Sequence, residues 1–322
     1  MTAEACPLGR GGAAHAGLHA GLRYAGYLRL DQVLGAQAPL SADTAQPIHD
    51  EHFFIVLHQA HELWFRQWLV EAAAVLQADA QAPGFFADAL PKLHRMAEIQ
   101  ALLNQQLGLL ATLDPLQFLA MRPLLGSASG SQSLQFVLLE ATLGTLDEAR
   151  APQACTMMTP AENAQVLATC RQPTLHDQLA RGLAAEWQRQ QATPAAKACH
   201  AQWAQALTER EAAQGWPALA LPAAFARLPR AAALAALLAR SRSQPRERLI
   251  DDALDRLCQL EQQLHRWRLL HAEQVRELLD ELPGTGGSSG HRYLSANAAA
   301  QPHSALRTLR QWAARPGIQV PA

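Results

Sequence analysis

The chain has 322 residues, 49% of them hydrophobic and 17% charged, with a formal net charge of −1. That length can bury a sizeable core in one large or two smaller domains, and so even a charge carries no electrostatic footprint for nucleic acid or an acidic membrane surface. No apolar run approaches the ~20 residues that span a bilayer, and residues 1–20 lack the apolar core of a secretory signal, so a soluble, cytoplasmic protein is expected.

Ala and Leu abound, β-branched residues are sparse, and alternating apolar/polar segments are hard to find, which reads as all-α. Residues 1–20 form an arm, and 21–322 a single helical domain. A first helix is expected over about 20–35. Pro47 sits near the start of a long apolar-periodic segment running to about Ala78, which suits a helix N-terminus. A further helix covers about 87–111, with Leu93, Met96, Ile99 and Leu103 as its apolar positions. Asp114-Pro115 supplies an N-cap and first helical residue for a short helix that Pro123 should end. Gly126–Ser133 is a loop, and 134–149 is helical again. Between about 150 and 245 the pattern weakens: 174–192 and 195–213 look like an inserted antiparallel helical pair, and Pro217, Pro222 and Pro229 interrupt the chain beyond it. Residues 247–282 form one long helix, stopped by Pro283 and Gly284. The architecture expected is a helical bundle with one inserted helical pair.

Five cysteines (Cys6, Cys155, Cys170, Cys199 and Cys258) are scattered, without a C-x-x-C. Neither a zinc ribbon nor covalent c-type haem attachment is indicated, and a reducing compartment fits. The basic run of Arg227, Arg230, Arg240, Arg242, Arg246 and Arg248, opposed only by Glu247, reads as a solvated face.

At about 100° per residue, Glu51, Phe54, His58, Glu62 and Phe65 fall on one narrow helical stripe, with His61 flanking it. Leu264, Trp267, His271, Val275 and Leu278 share another. An imidazole on an apolar stripe most often satisfies a core hydrogen bond. Two of them on two long helices also suit a flat cofactor held in a bundle, which needs one axial nitrogen and an apolar wall. Zinc and di-iron fit less well. His61-Glu62 opens the pattern H-E-x-x-H, but Phe65 takes the place of its second His. Glu51 is followed three residues on by Phe54, where a di-iron bundle needs Glu-x-x-His. Phe118 and Arg122, four apart, project together from the short helix. A guanidinium beside a ring suits a small amphoteric molecule, although an ordinary surface arginine is the commoner case. Gly284–Gly290 is either a flexible linker or a loop whose backbone N–H groups converge on an anion. Without a Lys after the glycines it does not fit the nucleoside-triphosphate pattern.

Taken together, these segments resemble the tryptophan 2,3-dioxygenase family. The matching blocks are Tyr24-Ala25-Gly26-Tyr27-Leu28 with Leu30-Asp31, His49-Asp50-Glu51, and Phe54 through Phe65. They continue with Phe118 through Arg122, Ser127–Gly130 with Gln132–Phe136, Trp267-Arg268 with His271, and Gly284–Gly290 followed by Tyr293-Leu294. They stand in family order over about 20–145 and 250–295. The resemblance implies that His271 is the axial ligand of a non-covalent b-type haem (Fe2+), with Trp267 and Ser129 close to it and O2 as co-substrate. It implies that His58 is the distal histidine accepting the indole N–H, that Phe54 and Phe118 wall the indole, and that Arg122 and Thr285 hold the amino-acid end. Tyr24, Tyr27 and Leu28 would complete a neighbour's pocket in a homotetramer. The implied activity is conversion of L-tryptophan to N-formylkynurenine, the entry to tryptophan catabolism by the kynurenine pathway. Three positions depart from the family: Ser131 stands where Phe is usual, Val137 where Arg is usual, and Leu270 where Arg tends to precede the axial His. Two other functions stay open at this point. One is a haem-dependent monooxygenase or hydroxylase of an aromatic amino acid or modified tryptophan; the other is a non-catalytic haem-binding helical protein.

Overall fold

The computed structural model describes residues 23–190 and 248–279, together with 194 and 198. Thr285 with its glycine-rich loop, the second member of the inserted pair, and nearly all of the basic run lie outside the described residues. Helices account for all the regular structure described: α1 (Tyr24–Tyr27), α2 (Leu30–Val33), α3 (His49–Gln77), α4 (Phe85–Leu107), α5 (Pro115–Leu125), α6 (Leu134–Leu143), α7 (Ala151–Ala154), α8 (Pro160–Cys170), α9 (Leu175–Gln190) and α10 (Arg248–Leu279).

Helix α3 begins with Asp50 and Glu51 in its first turn, where acidic side chains complement the positive end of the helix dipole. Its far end stops at Ala78, and the Gln178 amide of α9 donates to the carbonyls of Val75 and Ala78 at 3.3 and 2.7 Å. The Val75 carbonyl also accepts from the Ala78 N–H at 3.3 Å, and the Gln178 amide adds a partner for carbonyls at a helix C-terminus, where intrahelical donors run out. The main core joins α3, α4, α9 and α10 through Trp68, Phe85, Leu93, Met96, Leu103, Leu179, Leu183 and Leu257, none more than 2% exposed. Burying each such side chain stabilises the fold by about 1.5–3 kcal/mol. Gly182 lets α9 approach α4 closely, since a Cβ there would stand 2.5 Å from the Phe85 ring. A second cluster (Val137, Ala141, Leu146, Ala151, Cys155 and Val166) packs α6 against α7 and α8.

Several boundaries differ from those read in the sequence. The single helix expected over 20–35 is two short ones, broken at Arg29 in the left-handed region (φ 52°). Neither buries a residue, so no tertiary contact offsets the cost of nucleating a longer helix. Pro123 does not end α5, which continues to Leu125. In the last turn a proline removes only one backbone bond, that to the Leu119 carbonyl. The helix expected over 134–149 ends at Leu143, because Gly144 takes φ 99° and its N–H turns back to the carbonyls of Glu140 and Ala141. Helix α8 was not foreseen, although Thr159-Pro160-Ala161-Glu162 forms a capping box with proline in the first turn. Helix α9 is the first member of the expected inserted pair.

Candidate functional site

The N-terminal half of α3, helix α5 and the end of α10 meet over an apolar cluster of Leu113, Phe118, Met121 and Leu279, flanked by Phe54, Val275 and Leu278. The junction is latched by polar groups. Asp114 caps α5 by accepting from the N–H groups of Leu116 and Gln117. The Asp50 carboxylate accepts from the Asp114 N–H at 2.9 Å, and the Asp50 N–H donates to the Gln117 amide oxygen at 3.0 Å. Next to it, Glu51 accepts from the N–H groups of Leu40 and Ser41 at 2.7 and 2.8 Å. Burial alone would raise the Glu51 pKa, but its hydrogen bonds to Ser41 and Leu40 outweigh burial and lower it. With the two helices so fixed, the Phe54 ring lies 6.0 Å from Phe118 and 4.1 Å from His58, centroid to centroid. Arg122, half-buried, stands one turn after Phe118.

Three imidazoles approach one another here. His58 Nδ1 lies 2.8 Å from the Phe54 carbonyl. An oxygen there can only accept, so in the neutral ring the proton sits on Nδ1 and Nε2 is left as an acceptor. His58 is reachable by water, yet desolvation by surrounding protein is the largest influence on it and lowers its pKa. Both hold if the ring lines a concavity. His61, one turn on, is 7% exposed and donates in the same way to the Leu57 carbonyl at 2.9 Å. His271 on α10 is pushed down to about 4, first by desolvation and then by the nearness of His58 and His61. Its ring lies tilted against Trp267 at 4.8 Å between centroids, and Trp267 lies 4.6 Å from Phe136 and 6.2 Å from Phe65. One wall is therefore aromatic.

Polar side chains not assigned a role from the sequence hold these walls together. Glu62 accepts from the Ser133 hydroxyl at 2.5 Å and the Gln135 amide at 2.9 Å. That joins the loop before α6 to α3. Within the loop, Gln132 accepts from the Ser129 N–H at 3.0 Å, and Ser129 Oγ pairs with Ser131 Oγ at 2.9 Å. Arg268 donates to Glu140 of α6 through two nitrogens in a nearly buried pair. Both pairings cross large sequence separations, so no local spacing reveals them. Each acidic partner does lie in or beside a helical apolar stripe, and that misplaced charge was the available signal. Val137 is buried in the second cluster, Ser131 pairs with Ser129, and Leu270 packs against the main core. Tyr24 and Tyr27 are 75% and 72% exposed, and Leu28 is also exposed, so the described residues of this chain do not enclose them.

The donor set suits an iron group that brings its own equatorial ligands. Among the described residues no three His, Cys, Asp or Glu side chains gather as a metal cluster, so iron held by protein alone has no cage there. A neutral His271 on an aromatic wall offers the single nitrogen that haem requires, and its Nδ1 is buried without a partner. Burial raises the pKa of the Cys155 and Cys170 thiols. A separate cleft of about 660 Å³ between the end of α3 and α9 is lined by none of these residues.

A family model described as tryptophan 2,3-dioxygenase matches residues 10–205. The tryptophan 2,3-dioxygenase of Anaeromyxobacter sp. (strain K) is 34% identical over 282 residues, taking in 85% of this chain and 90% of that protein. Those of Anopheles gambiae and Aedes aegypti are each 42% identical, over 154 and 153 residues, taking in 45% of this chain and 39% of theirs. Against the mosquito proteins, then, the alignment spans about two fifths of their length.

Proposed function

From the premise that this chain belongs to the tryptophan 2,3-dioxygenase family, we propose that it is a haem-dependent dioxygenase. Its reaction inserts both atoms of O2 across the indole C2=C3 bond of L-tryptophan to give N-formylkynurenine. The names of its relatives favour this over a monooxygenase or a non-catalytic haem protein. The observation that carries it within this chain is the fixed tautomer of His58 beside the Phe54–Phe118 wall.

His271 would hold a b-type haem as its one protein ligand, with Trp267 as part of the wall and Ser129 near the haem edge. When bound, haem supplies the iron at which O2 is activated. The chain's own residues then orient the second reactant. His58 Nε2 accepts the indole N–H, which fixes the ring's rotation in its plane, while Phe54 and Phe118 flank its faces. A benzofuran in the same place has no donor and leaves Nε2 unpaired. Burial lowers the His58 pKa, which makes the ring a reluctant base and a good neutral acceptor, so its role is to position the substrate. Arg122 grips the carboxylate in a bidentate way, and Thr285, with the N–H groups of its loop, holds the amino-acid end. Binding energy from that end is spent on alignment at the reacting carbons. Exposed Tyr24, Tyr27 and Leu28 would complete the pocket of a neighbouring subunit in a homotetramer, and the enzyme would work in the cytoplasm.

The test is turnover by hemin-loaded, reduced protein given L-tryptophan and oxygen, monitored at the absorbance of N-formylkynurenine. The proposal expects a ring-opened product without added peroxide. A hydroxylated product that requires peroxide or an external reductant would overturn it.

A further inference from the structure

Around Trp267 three buried polar atoms have no hydrogen-bond partner: His61 Nε2, Trp267 Nε1 and His271 Nδ1. Their rings are neighbours, with Trp267 4.8 Å from His271 and 6.4 Å from His61 between centroids. Unpaired buried polar atoms are few in native proteins and call for an explanation. Here their chemistries are complementary. The His61 proton sits on Nδ1, which donates to the Leu57 carbonyl, so Nε2 is an acceptor. The Leu103 carbonyl acts on the same ring as a weak backbone hydrogen-bond partner, a smaller influence than the Leu57 carbonyl, but Nε2 has no partner within hydrogen-bond distance. Trp267 Nε1 is a donor only. His271 Nδ1 carries a proton whenever the other ring nitrogen binds iron, which makes it a second donor. Two donors and one acceptor are what a single buried water satisfies: its oxygen accepts twice and one of its O–H bonds donates.

We propose that His61 is a positioning residue for the axial ligand: through one buried water shared with Trp267 Nε1–H, its Nε2 terminates the hydrogen bond that starts at His271 Nδ1–H. The inference rests on the reading of His271 as haem ligand and deepens it. An acceptor behind Nδ1–H fixes the ligand's tautomer and ring orientation and raises its basicity, which favours ferric over ferrous iron. His61 is suited to the task because it is sealed from bulk water and desolvation keeps it neutral.

The experiment compares hemin-loaded wild type with His61→Leu, which removes the acceptor, and His61→Gln, which keeps one. The readouts are the iron–histidine stretching band of the ferrous protein and the reduction potential. In His61→Leu the band is expected to move to lower frequency and the potential upward with haem still bound, while His61→Gln stays close to wild type. Identical bands and potentials in wild type and His61→Leu would overturn the proposal. If His61→Leu does not fold, Trp267→Phe removes one anchor of the same water and is expected to move the band, and an unmoved band is the contrary result. Loss of hemin binding by the wild type, or an iron–histidine band that survives His271→Ala, would instead bring down the assignment of the axial ligand, and this proposal with it.

Discussion

Taking a histidine out of water costs it its charged form, and the site uses that cost twice. His271, at about pH 4, is unprotonated throughout the physiological range, so no proton competes with a metal for its nitrogen. His58, lowered from 6.5, keeps Nε2 free to accept. Because the folded-state pKa is depressed, the neutral form is fully present above 6.5 and is lost as pH falls through the lower folded value. We therefore expect kcat/KM for L-tryptophan to fall on the acid side with an apparent pKa below 6.5, and His58→Phe to abolish that limb. An acid limb at an ordinary histidine value, or one that persists in His58→Phe, would contradict the assignment. Arg122→Ala should weaken L-tryptophan binding by roughly 2–5 kcal/mol, the cost of leaving a buried carboxylate unpaired. Calorimetry on the hemin-loaded protein checks it, and an unchanged affinity refutes the clamp. At this scale the sequence was informative where helical periodicity sufficed. Phe54 and His58 share a stripe and do meet, and so do Trp267 and His271. The unpaired Nε2 of His61 was not legible, because it depends on which α10 residue faces α3.

The latch between α3 and α5 holds Phe118 against Phe54, whose ring adjoins His58. The Asp50 carboxylate accepts from the Asp114 N–H there, and the Asp50 backbone N–H donates to Gln117. Asp50→Ala removes an exposed hydrogen bond, should cost about 0.5–1.5 kcal/mol of stability and should raise KM for L-tryptophan, while the haem spectrum stays as in wild type, since Asp50 lies at neither ring of the α10 pair. Equilibrium denaturation with steady-state kinetics separates these effects, and an unchanged KM would show that the latch does not orient α5. Motif spacing located the ends of α3 and α5 to within a turn, because Asp114-Pro115 is a local capping signal. It misjudged Pro123, since a proline's effect depends on how near the helix end already lies, and α1 with α2, where nothing buried sustains the periodicity. The Glu62–Ser133 and Glu140–Arg268 pairings join blocks far apart in sequence, which a reading along one chain cannot pair.

Across the whole molecule, the core formed by α3, α4, α9 and α10 is continuous and the site lies against its aromatic side, whereas α1 contributes nothing buried. Removing residues 1–28 should reduce turnover, if Tyr24, Tyr27 and Leu28 complete a neighbour's pocket. Full activity in the truncated protein would dispose of that role. The all-α class was readable from the Ala- and Leu-rich, strand-poor composition, whereas the closure of the core by α9 was not, because it depends on Gly182 allowing α9 to press on Phe85. Every role assigned to the site depends on haem being bound between α3 and α10 through His271. Titrating hemin into the wild type and into His271→Ala, with spectra of the reduced proteins, tests this most directly. The wild type should saturate at one haem per chain with a five-coordinate histidine-ligated ferrous spectrum that the variant lacks. The same spectrum in both proteins would contradict it.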